Sequence, residues 1–127
     1  MPHLESRLSP AGEAFAAQRD GMLALIAQLR AYEARAVAAS QSSAERFARR
    51  GQLLPRERLA LLLDAGAPFV PLATMAGFGQ DHPDPERSVP GAGVISGIGF
   101  VSGVRCVISA SDSGIDAGAL QPMGLDK

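Results

Sequence analysis

The sequence predicts an α/β fold in which helices come first and a β-hairpin comes last. Three observations carry this. Apolar residues recur at intervals of three and four between residues 9 and 39. Two shorter segments behind them are bounded by helix punctuation: Ser42, Glu45 and Gly51 frame one, Pro55 and Gly66 the other. Two runs rich in Val and Ile then flank Ser102-Gly103 within residues 94–111.

The first helix is expected over residues 9–39. Ser9 can accept a hydrogen bond from an orphan N–H at the helix start, and Pro10 suits the first helical position because its missing N–H would have no partner there. Met22, Leu25, Ile26, Leu29, Tyr32 and Ala36 form one apolar stripe, with Arg19, Gln28, Arg30 and Arg35 on other faces. Gly21 weakens the helix by about 1 kcal/mol relative to Ala. This stripe can pack on a parent domain or on a neighbouring subunit. Residues 39–43 (Ala-Ser-Gln-Ser-Ser) break the pattern.

In the second helix Ser42 and Glu45 have the spacing of a capping box, and Gly51 supplies a left-handed stop. The third starts at Pro55 and lines a face with Leu59, Leu62 and Leu63 before residues 64–68 (Asp-Ala-Gly-Ala-Pro) end it. Residues 76–93, with Gly77, Gly79, Pro83, Pro85, Pro90, Gly91 and Gly93, read as a loop, and one of this length is either mobile or functional.

In the hairpin a two-residue Ser102-Gly103 turn sets Val101 opposite Val104, Gly99 opposite Cys106 and Gly97 opposite Ile108. The strand glycines leave room for larger side chains or for another backbone. Residues 112–127 read as turn and loop. The organisation is therefore a helical region over 1–66, a connecting strand and loop over 67–93, and the incomplete start of a second domain over 94–127. Two strands rarely hold together alone in water, so this lone hairpin needs sheet partners from elsewhere, and the isolated chain is expected to be partly unfolded or aggregation-prone.

Composition narrows the function. Aromatic residues are 5% of the 127, with no Trp, so the core must be aliphatic and rich in Ala. A net charge of −1 gives no field to draw in nucleic acid or an acidic membrane surface, and neither is expected as a partner. The first ten residues lack the apolar run of a signal peptide, and no apolar stretch reaches membrane-spanning length. The single Cys106 excludes an internal disulfide and a cysteine zinc cluster and suits a reducing cytoplasm. It sits mid-strand, where a buried, inert thiol is expected, and the adjacent Arg105 points to the opposite face.

Several motifs resolve to structural readings. The glycines from Gly91 to Gly97 follow Pro90 and open a strand, whereas a phosphate loop follows a strand and opens a helix. His3 and His82 have no second ligand at metal spacing, so no metal is expected. Asp112, Ser113 and Asp116 lack calcium-loop spacing and a base to activate the Ser, and are read as turn-formers. Arg46, Arg49, Arg50, Arg56 and Arg58 form the local basic cluster. It reads either as a solvated helical face partly neutralised by Glu45 and Glu57, or as an anion site, since the guanidinium fork pairs well with phosphate.

Two stretches, Arg50 to Phe69 and Val89 to Lys127, resemble in order and spacing the N-terminal part of the carboxyltransferase (β) subunit of biotin-dependent acyl-CoA carboxylases. Residues 51–59 (Gly-Gln-Leu-Leu-Pro-Arg-Glu-Arg-Leu) match the close of that family's helical region. Residues 93–111 resemble the first hairpin of its crotonase-like domain, and 111–127 the loop toward the next helix. Many relatives have Gly-Gly-Thr where this chain has Ala117-Gly118-Ala119, which bears on acyl-CoA preference.

The resemblance implies a truncated crotonase-like fold. It also implies transfer of a carboxyl group from carboxybiotin, held on a separate carrier, to the α-carbon or vinylogous γ-carbon of an acyl-CoA. The implied partners are a biotin carboxylase and biotin carboxyl carrier subunit, and further copies of the chain in a homo-oligomer. The family's oxyanion donors come from later turns, so no catalytic residue is assigned. Gly118 and Ala119 are implied near the thioester or pantetheine, where small residues let a ligand approach the backbone, and Arg56 and Arg58 near the phosphates of coenzyme A. Two other readings share these residues: a non-catalytic module that docks on carboxylase subunits, and part of a biotin-dependent acyl-CoA decarboxylase.

Overall fold

The computed structural model describes residues 9–119 and 121–127. The chain divides into two units, residues 1–31 and 32–127. The first helix, α1 (Glu13–Gln41), starts four residues later than expected. Gly12 N–H donates to Ser9 O at 3.0 Å, so Ser9 and Pro10 close a turn ahead of the helix and do not cap it. In the first unit Met22, Leu25, Ile26 and Leu29 are exposed.

In the second unit the end of α1 is followed by α2 (Ala44–Arg49) and α3 (Pro55–Leu62). The capping box expected of Ser42 and Glu45 does not form. Ser42 Oγ donates back to Ala39 O at 2.7 Å, and Glu45 pairs with Arg49 at 3.3 Å. Ser43 is the residue at the cap position, and it makes no side-chain cap bond. The stop is as expected: at φ 64°, Gly51 lets its own N–H reach Ala48 O and that of Gln52 reach Phe47 O. Pro55 opens α3, where Glu57 Oε2 accepts the Leu54 N–H at 2.7 Å. Leu59 is buried, whereas Leu62 of the same face is exposed.

The sheet is a three-stranded antiparallel one in the order β1 (Val70–Pro71), β2 (Val94–Val101), β3 (Val104–Ser111). The hairpin register is the expected one, with Val101 opposite Val104, Gly99 opposite Cys106 and Gly97 opposite Ile108. Ser102 and Gly103 take φ 51° and 76°, and their N–H groups donate to the two Asp64 carboxylate oxygens, each at 2.7 Å. The hairpin is not alone, which corrects the sequence-based expectation: Val70 pairs with Ile98 and Pro71 with Gly97. Phe69, just ahead of β1, explains the strand glycines. A Cβ at Gly97 would lie 2.3 Å from the Phe69 ring and 2.7 Å from Val70 O, and one at Gly99 would lie 2.5 Å from Leu63.

Leu54, Leu59, Ala92, Val94, Ile95 and Ala36 form the buried apolar set of this unit. The residues of β3 are exposed or half-buried, so Cys106 is half-buried instead of enclosed. Residues 112–127 are more structured than expected, with a 3-10 turn at Asp116–Gly118 and a helical turn, α4 (Pro122–Leu125). Among the described residues no helix is long and apolar enough to cross a membrane.

Candidate functional site

The site is built around a buried carboxylate. Asp112 follows β3 directly, and its N–H donates to Gly93 O at 2.7 Å, which turns the chain inward. Its residue is only 1% exposed. Oδ1 accepts from Ser40 Oγ at 2.6 Å and from Gly114 N–H at 3.3 Å. Oδ2 lies 3.5 Å from Arg56 Nε, an ion pair rather than a hydrogen bond. A buried carboxylate without a compensating charge is costly, so Arg56 is structurally committed here. One turn along, Ser43 Oγ donates to Gly114 O at 2.7 Å. A Cβ on Gly114 would lie 2.4 Å from Ser40 Oγ, so the chain touches α1 there through glycine. Lys127 lies near Arg56, donating from Nζ to Gly91 O at 3.2 Å and Val94 O at 2.5 Å. Burial, and then the nearby Arg56, hold its pKa below the usual lysine value.

Beyond this latch, Asp116, Ala117 and Gly118 take φ 46°, 54° and 82° in succession. Non-glycine residues pay for that left-handed conformation, so surrounding bonds must enforce it. The segment forms one wall of a cleft of about 640 Å³, through Gly114, Ile115, Asp116, Gln121, Pro122 and Met123. The facing wall is the loop carrying Gln80, Asp81, His82 and Arg87, and the end of α1 contributes Ala39. Such a volume suits a small-molecule ligand.

The loop wall is held from both ends. Arg35 donates to Pro85 O and to Glu86 Oε2, both at 2.7 Å, and lies over the Tyr32 ring, which in turn meets Phe78 at 4.9 Å. Asp81 accepts from Ser88 Oγ through one oxygen and from Val89 N–H at 2.8 Å through the other. Burial pushes its pKa up, but the bonds from Ser88 and the backbone outweigh it and hold the carboxyl below its usual value. His82 Nδ1 lies 3.0 Å from the Asp84 N–H and 3.3 Å from Asp84 O, which ties the ring to the loop backbone. The cleft therefore offers a cation, amides and an imidazole beside Ile115, Pro122 and Met123. That combination can bind and orient a ligand with polar and apolar parts.

The four residues singled out from the sequence do not converge on one point. Arg56 is in the latch, and Arg58, two positions on, lines a separate groove of about 580 Å³ with Leu59, Leu62 and Ile108. Gly118 and Ala119 sit on the segment between the cleft-lining Asp116 and Gln121. The rest of the basic cluster fits a solvated face: Arg46 donates to Ser43 Oγ at 3.0 Å and lies over Phe47, and Arg49 pairs with Glu45. Sequence reasoning missed Asp112, read there as a turn-former. It does form the turn bond to Gly114, but its burial against Arg56 and Ser40 links positions 56 and 72 residues apart in the chain, which no local pattern reveals. It also treated His82 as a plain loop residue, although the length of the loop over 76–93 was the available signal. His3 lies outside the described residues. Among the described residues no three His, Cys, Asp or Glu side chains are grouped to hold a metal.

Residues 46–127 match the carboxyl transferase domain family. The chain belongs to that family. Arg56, Arg58, Asp112, Gly118 and Ala119 all fall inside the matched stretch, and Ser40 lies just before it. The chain is 45% identical over 74% of its length to the biotin-dependent 3-methylcrotonyl-coenzyme A carboxylase beta1 subunit of Mycobacterium tuberculosis, covering 17% of that protein. It is 35% identical over 84% of its length to a probable mitochondrial methylcrotonoyl-CoA carboxylase beta chain of Drosophila melanogaster, covering 18%. Among solved structures, the geranyl-CoA carboxylase beta subunit of P. aeruginosa aligns with 98% of the chain and 23% of its own length, at 45% identity and a TM-score of 0.86. The transcarboxylase 12S structure aligns at a TM-score of 0.62 and 23% identity, a likeness of fold. This carboxyl transferase chain thus spans about a fifth of the length of the curated relatives it matches. Its helices and antiparallel hairpin are part of a crotonase-like carboxyl transferase fold.

Proposed function

We propose that this chain is the helical entry and first sheet hairpin of the carboxyltransferase component of a biotin-dependent acyl-CoA carboxylase. Domain bounds of 1–66, 67–93 and 94–127 go with that reading. The observation that carries it is the likeness to the geranyl-CoA carboxylase beta subunit over 98% of the chain. Biotin, carried on a partner's carrier domain, supplies the carboxyl group when bound, and the partners are a biotin carboxylase and carrier subunit together with further copies of the chain. The acyl-CoA is the substrate. Methylcrotonyl- and geranyl-CoA, named for the relatives, are both unsaturated thioesters with a methyl branch at the β-carbon, so that acyl class is the one to test first. A reducing compartment, the cytoplasm, suits the unpaired Cys106.

The chain's own part is binding and shaping. The cleft beside Gly118 and Ala119 has the mixed lining that a pantetheine arm requires, with amides for its amide groups and apolar side chains for its methylenes. Arg58, exposed and with no ion pair to a carboxylate among the described residues, is better placed than Arg56 to meet a phosphate. No residue here is assigned to the bond-making step.

The test is a chimera in which this chain replaces the matching segment of the P. aeruginosa geranyl-CoA carboxylase beta subunit, assembled with that enzyme's biotin-bearing partner. Fixation of labelled bicarbonate into methylcrotonyl-CoA and geranyl-CoA is expected within about tenfold of the parent, a change of about 1.4 kcal/mol in barrier. An assembled chimera with no acyl-CoA-dependent fixation would contradict the reading and favour a docking module without catalysis.

A further inference from the structure

The strongest unexplained feature is a fully buried carboxylate, Asp112, which sits behind the wall of the 640 Å³ cleft and reaches that wall through the Gly114 N–H. We propose that Asp112 is a positioning residue, acting through Arg56 and Ser40 to fix the segment 114–119 in the shape that the acyl-CoA requires. The inference rests on the function proposed above for the cleft.

Three observations converge on it. First, Asp112 joins three elements at one point. Its backbone is bonded to Gly93 at the mouth of β2, its Oδ1 to Ser40 at the end of α1, and its Oδ2 faces Arg56 of α3. Second, the side chain reaches the cleft segment directly, through Gly114 N–H to Oδ1, while Ser43 holds the Gly114 carbonyl. Both polar groups of that residue are thereby fixed. Third, the segment that follows holds two non-glycine residues, Asp116 and Ala117, in the left-handed region. Such a conformation persists only where its surroundings over-determine it. Relaxing the latch releases that segment toward ordinary backbone angles and moves the wall made by Ile115 and Asp116. A shift of an ångström in such a wall is enough to misplace a bound substrate.

The experiment uses the chimeric subunit with its biotin-bearing partner, assayed first without substitution. Asp112→Asn keeps the shape and an acceptor for Ser40 but removes the charge facing Arg56. The expected result has three parts: KM for the acyl-CoA rises about fivefold or more, kcat stays within about twofold, and KM for the biotin carrier is unchanged. Amide hydrogen exchange over 114–119 is expected to speed up in the same variant. A merely structural role would lower Tm and the active fraction while leaving the acyl-CoA KM of the remaining enzyme unmoved. That result, or equal effects on both substrates, would overturn the proposal. An unsubstituted chimera without activity would instead count against the function, and the exchange measurement then decides the positioning role alone, with unchanged exchange over 114–119 overturning it. Should the Asn variant not assemble, Ser40→Ala removes one hydrogen bond and no charge, and the same readouts are expected to move in the same directions by smaller amounts; no movement in either would overturn the role.

Discussion

Gly97 shows how much of this fold rests on the absence of a single carbon. The residue faces Ile108 across the hairpin and Pro71 on the other side, and the Phe69 ring lies over it. A methyl group here would meet both the ring, which can swing, and Val70 O, which belongs to the backbone of β1 and cannot move without breaking the pairing. Overpacking of this kind costs about 1–3 kcal/mol. Gly97→Ala is therefore expected to speed amide exchange across residues 94–101 of the chimeric subunit by about tenfold, the equivalent of 1.4 kcal/mol. Gly103→Ala meets open space and bears only the cost of its turn conformation, about 1 kcal/mol, so it serves as the control and should change exchange less. Equal exchange in the Gly97 variant and the parent would sink the account. The need for small residues at 97 and 99 was legible in the sequence because a two-residue turn fixes the register. What fills the space was not, because Phe69 and Leu63 come from far outside the hairpin.

At the scale of elements, legibility followed locality. The hairpin, the left-handed stop at Gly51 and the Pro55 start are each written within a few residues, and the structure has them as expected. The helix caps at Ser9 and at Ser42 with Glu45 were misread, since side chains that can cap a helix can equally take other partners. Ser42 bonds back to Ala39, Ser43 reaches Gly114, and Glu45 pairs with Arg49. Strand β1, two residues long and half proline, falls within the connecting strand and loop expected over 67–93, but it is too short for its residues to mark its place or its pairing with β2. The loop over 77–89 shows the same competition in its pH response. Asp81 has a folded pKa below its usual 3.8, so its bonds to Ser88 and Val89 favour the folded loop above about that pH. The contribution is lost as pH falls through the lower, folded value, because a protonated carboxyl gives up its advantage as an acceptor. Pepsin cleavage beside Phe78 in the chimeric subunit is expected to accelerate as pH drops from about 4 toward 2. Asp81→Asn, which carries no charge to lose, should be cut faster at pH 4 and show a flatter pH dependence. Identical pH profiles for the two proteins would show that Asp81 does not hold the loop.

Each of the two units leaves large apolar side chains uncovered. In the second unit Val104 is 62% exposed and Val107 77%, on the strand whose outer edge has no partner among the described residues. In the first unit Met22 and Leu25 are 58% and 62% exposed along the stripe that the sequence marks as a packing face. Burying one such side chain is worth about 1.5–3 kcal/mol, so leaving several uncovered removes a large share of the 5–15 kcal/mol by which domains are usually stable. The relatives are about five times longer, and the likeness covers 23% of the geranyl-CoA carboxylase beta subunit. In proteins of that length further sheet and helices are available to cover these faces. The 127-residue chain alone is therefore expected to self-associate through the β3 edge, because an exposed strand with apolar side chains is a template for another copy. Sedimentation velocity at tens of micromolar should show species larger than a monomer, accompanied by a broad thermal transition, and Val107→Lys should shift the distribution toward monomer by placing a charge on the exposed face. A monomer with one sharp, cooperative melt would mean that the short core of Leu54, Leu59, Val94 and Ile95, tied by the Asp112 latch, is sufficient by itself. The sheet partners would then serve the active site and not the folding of this part of the chain.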